Sequence, residues 1–170
     1  TELGIEIENM VKNGLLVDER VVCKMVKYYI DNYKNILLDG FPRTLNQIMF
    51  LDKINFGVDL VIKLNINNVT LFKRVKYRLI SPESQATYNV IYNRPKIKDL
   101  DDVSGDKLIP RTDDKYSTLL SRIDLYNNEI TNVISYFSNK NVKIVNIDSV
   151  NDKYLVFNQI KDTINNEQLL

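Results

Sequence analysis

The stretch that most limits what this chain can become is Asn35-Ile36-Leu37-Leu38-Asp39-Gly40-Phe41-Pro42-Arg43-Thr44-Leu45-Asn46-Gln47. A short apolar run, Ile36 to Leu38, reads as a strand and ends in a carboxylate. A Gly/Pro turn follows, and a guanidinium stands just before a helix start. In an open α/β sheet, ligands bind beyond the carboxyl ends of the strands. A carboxylate and an arginine fixed at such an end suit a metal ion and a phosphate. The same residues also suit a purely structural turn. Thr44 and Gln47 have the spacing of a capping box, and Gly and Pro turn a chain without any ligand.

The flanking pattern places this turn in an α/β protein. Thr1 to Asn13 has a partial helical pattern, with Gly14 where a C-terminal cap belongs. A helix is expected from Asp18 to about Asn32, burying Val22, Met25, Val26 and Tyr29. After the turn comes a helix through Ile48, Leu51 and Ile54, then a β-prone run from Asp59 to Ile66. A helix over Asn68 to Leu79 would put Arg74 and Arg78 on one face, which equally describes a solvated basic face. The segment Ile80 to Pro110 holds three of the four prolines and little helical signal, so a β-ribbon insertion acting as a flap or lid is expected. Asp113 and Asp114 would then cap a long helix striped by Leu119, Leu120, Ile123, Tyr126, Ile130, Val133, Ile134 and Phe137. Val142 to Ile147 reads as a strand and Tyr154 to Ile164 as a closing helix. Strands separated by helices imply a parallel sheet.

Composition narrows the chemistry. The net charge of +1 argues against holding nucleic acid by bulk electrostatics. No apolar run approaches the ~20 residues that span a bilayer. One cysteine, Cys23, excludes an internal disulfide and a cysteine-built zinc site. Histidine is absent, which removes His triads and imidazole bases. Phosphoryl transfer needs mainly positioning and charge stabilisation, so it remains open to carboxylates, lysines and arginines.

The Asp39-Gly40-Phe41-Pro42-Arg43-Thr44…Gln47 run resembles the signature of adenylate kinases. Two further patterns are similar to the same family: Arg111-x-Asp113-Asp114 with Arg122 following, and Asn93-x-Pro95-Lys96…Asp101-Asp102-x-Ser104-Gly105. The likeness implies a P-loop-type parallel sheet flanked by helices, with a small β lid. It divides the chain into part of an AMP-binding helical region (1–17), a core (18–76 and 115–170) and a lid insertion (77–114). It implies transfer of the terminal phosphoryl group of ATP or GTP to AMP with Mg²⁺, by a monomer of the cytoplasm or mitochondrion. Leu15, Leu16, Val17, Gly40, Phe41, Pro42, Arg43 and Gln47 would line the AMP site. Arg74, Arg78, Thr87 and Tyr88 would face the donor nucleotide. Arg78, Arg111 and Arg122 would act on the transferring group, the last two also reaching AMP. Asp39 would hold Mg²⁺ through water. Some relatives build the lid on zinc with four cysteines, where this chain has Ser81, Ser84, Asp101 and Ser104. A hydrogen-bonded lid without zinc is expected.

The chain also departs from that pattern. The family's Gly-x-x-x-x-Gly-Lys phosphate loop is absent, since the glycines stand isolated at 4, 14, 40, 57 and 105. The expectation is a chain truncated before that loop, lacking a central strand and poorly active as it stands. Gln85 and Ala86 replace a usual Gly-Arg pair, Arg94 a proline, and Ser149 a frequent glycine, which leaves the donor-base contacts open. Tyr88-Asn89 and Val61 to Asn65 lean toward the GTP-using branch, and the long lid disfavours UMP/CMP kinases. A non-catalytic, AMP-binding derivative of the fold is the competing reading.

Overall fold

The computed structural model describes Gly4, residues 18–111 and residues 114–167. Apart from Gly4, the expected first helix lies outside the described residues, as do Gly14, Leu15 to Val17, Thr112 and Asp113.

Helix α1 (Glu19–Asn32) starts where the acidic pair predicts, with the Asp18 carboxylate accepting the Arg20 N–H at 2.8 Å. Its buried residues are Val21 and Cys23 rather than the expected stripe, for Met25 is 37% and Tyr29 50% exposed. The helix meets its neighbour α2 (Leu45–Lys53) at its N-terminal end, through Glu19. Ile36 to Leu38 forms no ladder, contrary to the strand expected there, and Leu37 is 86% exposed. Apolar β-prone residues become a strand only when a neighbour takes up their backbone hydrogen bonds.

Such a neighbour exists further on. Strand β1 (Leu60–Asn65) pairs in parallel with β5 (Lys143–Asp148), from Leu60 opposite Lys143 to Asn65 opposite Asp148. Between them run α3 (Asn68–Lys76), a small sheet, and α4 (Tyr116–Asn139). Helix α5 (Lys153–Asn166) follows β5, and the Asp152 carboxylate caps it by accepting the Tyr154 N–H at 2.8 Å. The core sits where α2 (Leu45–Lys53), α4 and the parallel pair meet. Ile48, Val133 and Phe137 are buried there, with Val58, Val61, Tyr136, Val142 and Ile144 packed around them. Only part of the expected α4 stripe is inside: Leu119, Val133 and Phe137 are buried, while Leu120 and Tyr126 are exposed.

Two helix boundaries differ from expectation. Helix α3 stops at Lys76, so Arg78 opens strand β2 (Arg78–Ile80) and does not share a helix face with Arg74. The Tyr77 carbonyl accepts the Val90 N–H at 3.0 Å, and cross-strand pairing replaces the helical pattern from there on. Helix α4 takes Lys115 as its N-cap residue, without a side-chain cap bond, because the Asp114 carboxylate is bound to Arg78 instead.

The small sheet is antiparallel, in the order β3-β2-β4, with β3 spanning Thr87–Asn89 and β4 Ile109–Pro110. Pro110 sits on an edge strand, where its missing N–H leaves no gap in the ladder. Among the described residues, no helix is long and apolar enough to cross a membrane.

Candidate functional site

The turn after Asp39 is built by local hydrogen bonds. Gly40 adopts φ +67°, which favours glycine, and an added Cβ would press on the far end of the Arg43 side chain. Arg43 Nε donates to the Gly40 carbonyl at 2.5 Å, folding the guanidinium back over the turn. Thr44 Oγ1 caps α2 by accepting the Gln47 N–H at 3.3 Å. Gln47 does not complete the usual reciprocal box, for its Oε1 accepts the Arg43 N–H at 2.7 Å, one residue before the cap. The Phe41–Pro42 peptide is cis, and the Phe41 ring meets Phe50 edge-on at 6.4 Å. The Gln47 side chain is buried, while Asp39 and Arg43 stay exposed.

A second group gathers at the carboxyl ends of the parallel strands. Ser149, buried just after β5, donates both its N–H and its hydroxyl to the Asn65 carbonyl at 2.8 Å, tying the two strand ends together. From α3, Arg74 donates to the carbonyls of Val150 (3.4 Å) and Asn151 (3.1 Å) and lies 5.5 Å over the Tyr92 ring. The Arg74 carbonyl accepts Asn89 Nδ2 at 2.9 Å. Lys153, the first residue of α5, donates to Asn93 Oδ1 at 2.5 Å. The small sheet is thereby pinned against the strand ends at its 89–93 turn.

Arg78 forms a two-pronged ion pair with Asp114: Nε donates to Oδ2 at 2.7 Å, and Nη2 meets Oδ1. The Asp114 N–H bonds the Arg111 carbonyl at 3.2 Å, which brings Arg111 beside the pair. Arg122 lies on the exposed side of α4. Arg43 and Gln47 are bonded to each other and to the turn at Gly40 and Thr44, whereas Arg74 is held by the carbonyls between β5 and α5 and Arg78 by Asp114 ahead of α4. Sequence reasoning missed Asp114 as a guanidinium partner, since it sits where a helix cap is expected.

The small sheet closes around a polar cluster. Tyr88 donates to Asp101 Oδ1 at 2.7 Å and accepts the Asp102 N–H at 2.9 Å. Ser104 gives both its N–H (2.8 Å) and its hydroxyl (2.7 Å) to Asp101 Oδ2. Ser81 donates to Asp106 Oδ1 at 2.9 Å and accepts the Ser84 N–H at 2.9 Å. The four residues at the zinc-ligand positions of some relatives thus hold one another by hydrogen bonds, joined by Tyr88 and by Asp106, which sequence reasoning overlooked. The tight Asp101-to-Asp106 turn closed by Gly105 was the available signal. Burial pushes the Asp101 carboxyl up, but donors from Ser104, Tyr88 and Ser84 outweigh it and hold the group well below the usual carboxylate range. The bond to Asp101 in turn raises the Tyr88 phenol. Of the two residues expected over a donor, Thr87 is exposed and the Tyr88 ring is buried. Among the described residues, no three His, Cys, Asp or Glu side chains form a group able to hold a metal ion.

Comparison with known proteins finds one family. A family model described as adenylate kinase matches residues 1–142. An adenylate kinase of Coxiella burnetii (strain Dugway 5J108-111) is 37% identical over 141 residues, covering 81% of this chain and 61% of the relative. One of Francisella philomiragia is 34% identical over 174 residues, covering 95% of this chain and 81% of the relative. One of Baumannia cicadellinicola is 37% identical over 144 residues, 83% of this chain and 68% of that one. The chain thus spans about 61% of the length of the Coxiella relatives it matches. With a family model covering most of its length and an α/β fold built on a parallel strand pair, the chain belongs to the adenylate kinase family.

Proposed function

We propose that the protein takes part in nucleoside monophosphate phosphorylation, moving the terminal phosphoryl group of ATP or GTP to AMP. Family membership supports the reaction class. The observation that carries the reading is the Arg78–Asp114 pair, whose Asp114 N–H bonds the Arg111 carbonyl, with Arg74 fixed separately at the strand ends. A loose phosphoryl transition state spreads charge over its equatorial oxygens, so guanidiniums supplied by separate elements can each stabilise it. An arginine locked by a carboxylate is oriented before substrate arrives, which lowers the ordering entropy of binding.

In this reading Arg43, Gly40 and Gln47 serve AMP, with Phe41 and Pro42 shaping the turn. Arg74, Arg78 and Thr87 serve the donor, and Arg111 and Arg122 the transferring group. Tyr88 supports the lid from within, and the small sheet is the lid, shielding the reaction from water. Mg²⁺ would neutralise charge on the donor phosphates. It is commonly held by one or two carboxylates together with phosphate oxygens, and the exposed Asp39 fits a single carboxylate acting through water.

The test is the initial rate of AMP phosphorylation with ATP and with GTP at equal concentration, with and without Mg²⁺. Metal-dependent diphosphate formation from AMP is expected. A clear preference for one donor decides between ATP and GTP, and comparable rates remove the lean toward GTP. Tight AMP binding without transfer from either donor would establish the non-catalytic reading instead.

A further inference from the structure

One carboxylate reaches into the Arg43 turn from outside it. Glu19, the first residue of α1, accepts the Thr44 hydroxyl on one oxygen and the Asn46 amide on the other, the latter at 3.2 Å. A carboxylate in the first turn of a helix needs no partner beyond the helix dipole, yet this one bonds to the start of α2, 25 residues away. Its consequence is geometric. Because the Thr44 hydroxyl directs its only proton at Glu19, its lone pairs are left for the Gln47 N–H. Gln47 then bonds the Arg43 N–H, and Arg43 Nε returns to the Gly40 carbonyl. A series of bonds, passing between main chain and side chain at Gln47 and at Arg43, runs from Glu19 through Thr44, Gln47 and Arg43 to Gly40.

We infer that Glu19 is a positioning residue for the acceptor nucleotide, fixing the Thr44 hydroxyl and through it the presentation of Arg43. The inference rests on the reading of Arg43 as a ligand of the AMP phosphate. Both partners of Glu19, Thr44 and Asn46, lie at the start of α2, so its effect falls on AMP and not on the donor, whose arginines bond elsewhere.

The experiment measures calorimetric affinities of the intact chain for AMP and for ATP, with Tm alongside. The variants are Glu19→Ala, Glu19→Gln, Thr44→Val, the double variant Glu19→Ala/Thr44→Val, and Arg43→Ala. Glu19→Ala is expected to weaken AMP by about tenfold, the scale of one lost charge-assisted hydrogen bond, with ATP affinity and Tm little changed. Glu19→Gln keeps an acceptor for Thr44 and should recover part of the loss; it carries the comparison if the alanine variant does not fold. The double variant should be no worse than the poorer single one, since both break the same link. AMP and ATP weakening together in step with Tm, or additive losses in the double variant, would overturn the inference. Weaker AMP binding in Arg43→Ala but not in Glu19→Ala would refute the positioning role and leave Arg43 in place. No response of AMP binding to either change, or no AMP binding by the unaltered chain, would remove the AMP reading of the turn itself.

Discussion

The Arg78–Asp114 pair makes a directional prediction about stability. Its members are unequally buried: 7% of the Asp114 side chain is exposed, against 26% for Arg78. Arg78→Ala therefore strands a carboxylate that water hardly reaches, and breaking a buried pair in this way costs about 3–5 kcal/mol. Asp114→Ala leaves a guanidinium with a quarter of its surface in water, so its loss should stay near the ~1.5–3 kcal/mol of a charged hydrogen bond. The ranking is the substance of the claim: the arginine deletion is the worse one. Urea unfolding followed by far-UV circular dichroism would measure both, repeated at low and high salt. A pair this enclosed should lose little of its coupling to salt, unlike an exposed one. Equal costs for the two variants, or costs below about 1 kcal/mol with strong salt dependence, would place the pair among ordinary surface contacts and refute the argument.

Arg43→Ala should weaken AMP use by about 2.7–4 kcal/mol, on the scale of losing one preorganised charge-stabilising donor; unchanged AMP kinetics would take Arg43 out of the site. Gly40→Ala should destabilise the turn by about 1–2 kcal/mol, because a side chain at positive φ is strained. It should also lower AMP affinity, since the new Cβ displaces the Arg43 guanidinium; a variant matching the parent in both respects would contradict this. Asp101, held below its ordinary range, supplies stability that is present above its unfolded value of about 4 and lost as pH falls through the lower folded value. Amide exchange in the small sheet should therefore accelerate only in strong acid, and Asp101→Asn should abolish that acid limb. An unaltered acid profile in the variant would show that another group controls it.

How much of this was readable in the chain follows the range of the forces involved. Asp18, Asn67 and Asp152 cap helices through N–H groups two or three residues on, and α1 and α5 begin within a residue of expectation. The Gly40 to Gln47 turn was legible for the same reason, as its internal bonds join residues three or four apart. The polar character of the small sheet was readable too, because Asp101 and Ser104 bond within one turn. The Ile36 to Leu38 strand was not decided by composition: it carries the right residues, but a ladder needs a second chain segment beside it. The Arg74/Arg78 helix face failed likewise, because pairing of Arg78 opposite Asn89 outweighed a continued helical pattern.

The sequence by itself determined the starts of α1, α2, α3 and α5, the Arg43 turn and the family, all set by signals within a turn or two of chain or by long motif matches. Tertiary structure alone decided which carboxylate each side chain meets. Arg78 finds Asp114 across 36 residues and Thr44 finds Glu19 across 25. Nothing local ranks those partners above the other acidic residues, because an ion pair depends on distance and burial, which exist only once the elements have packed.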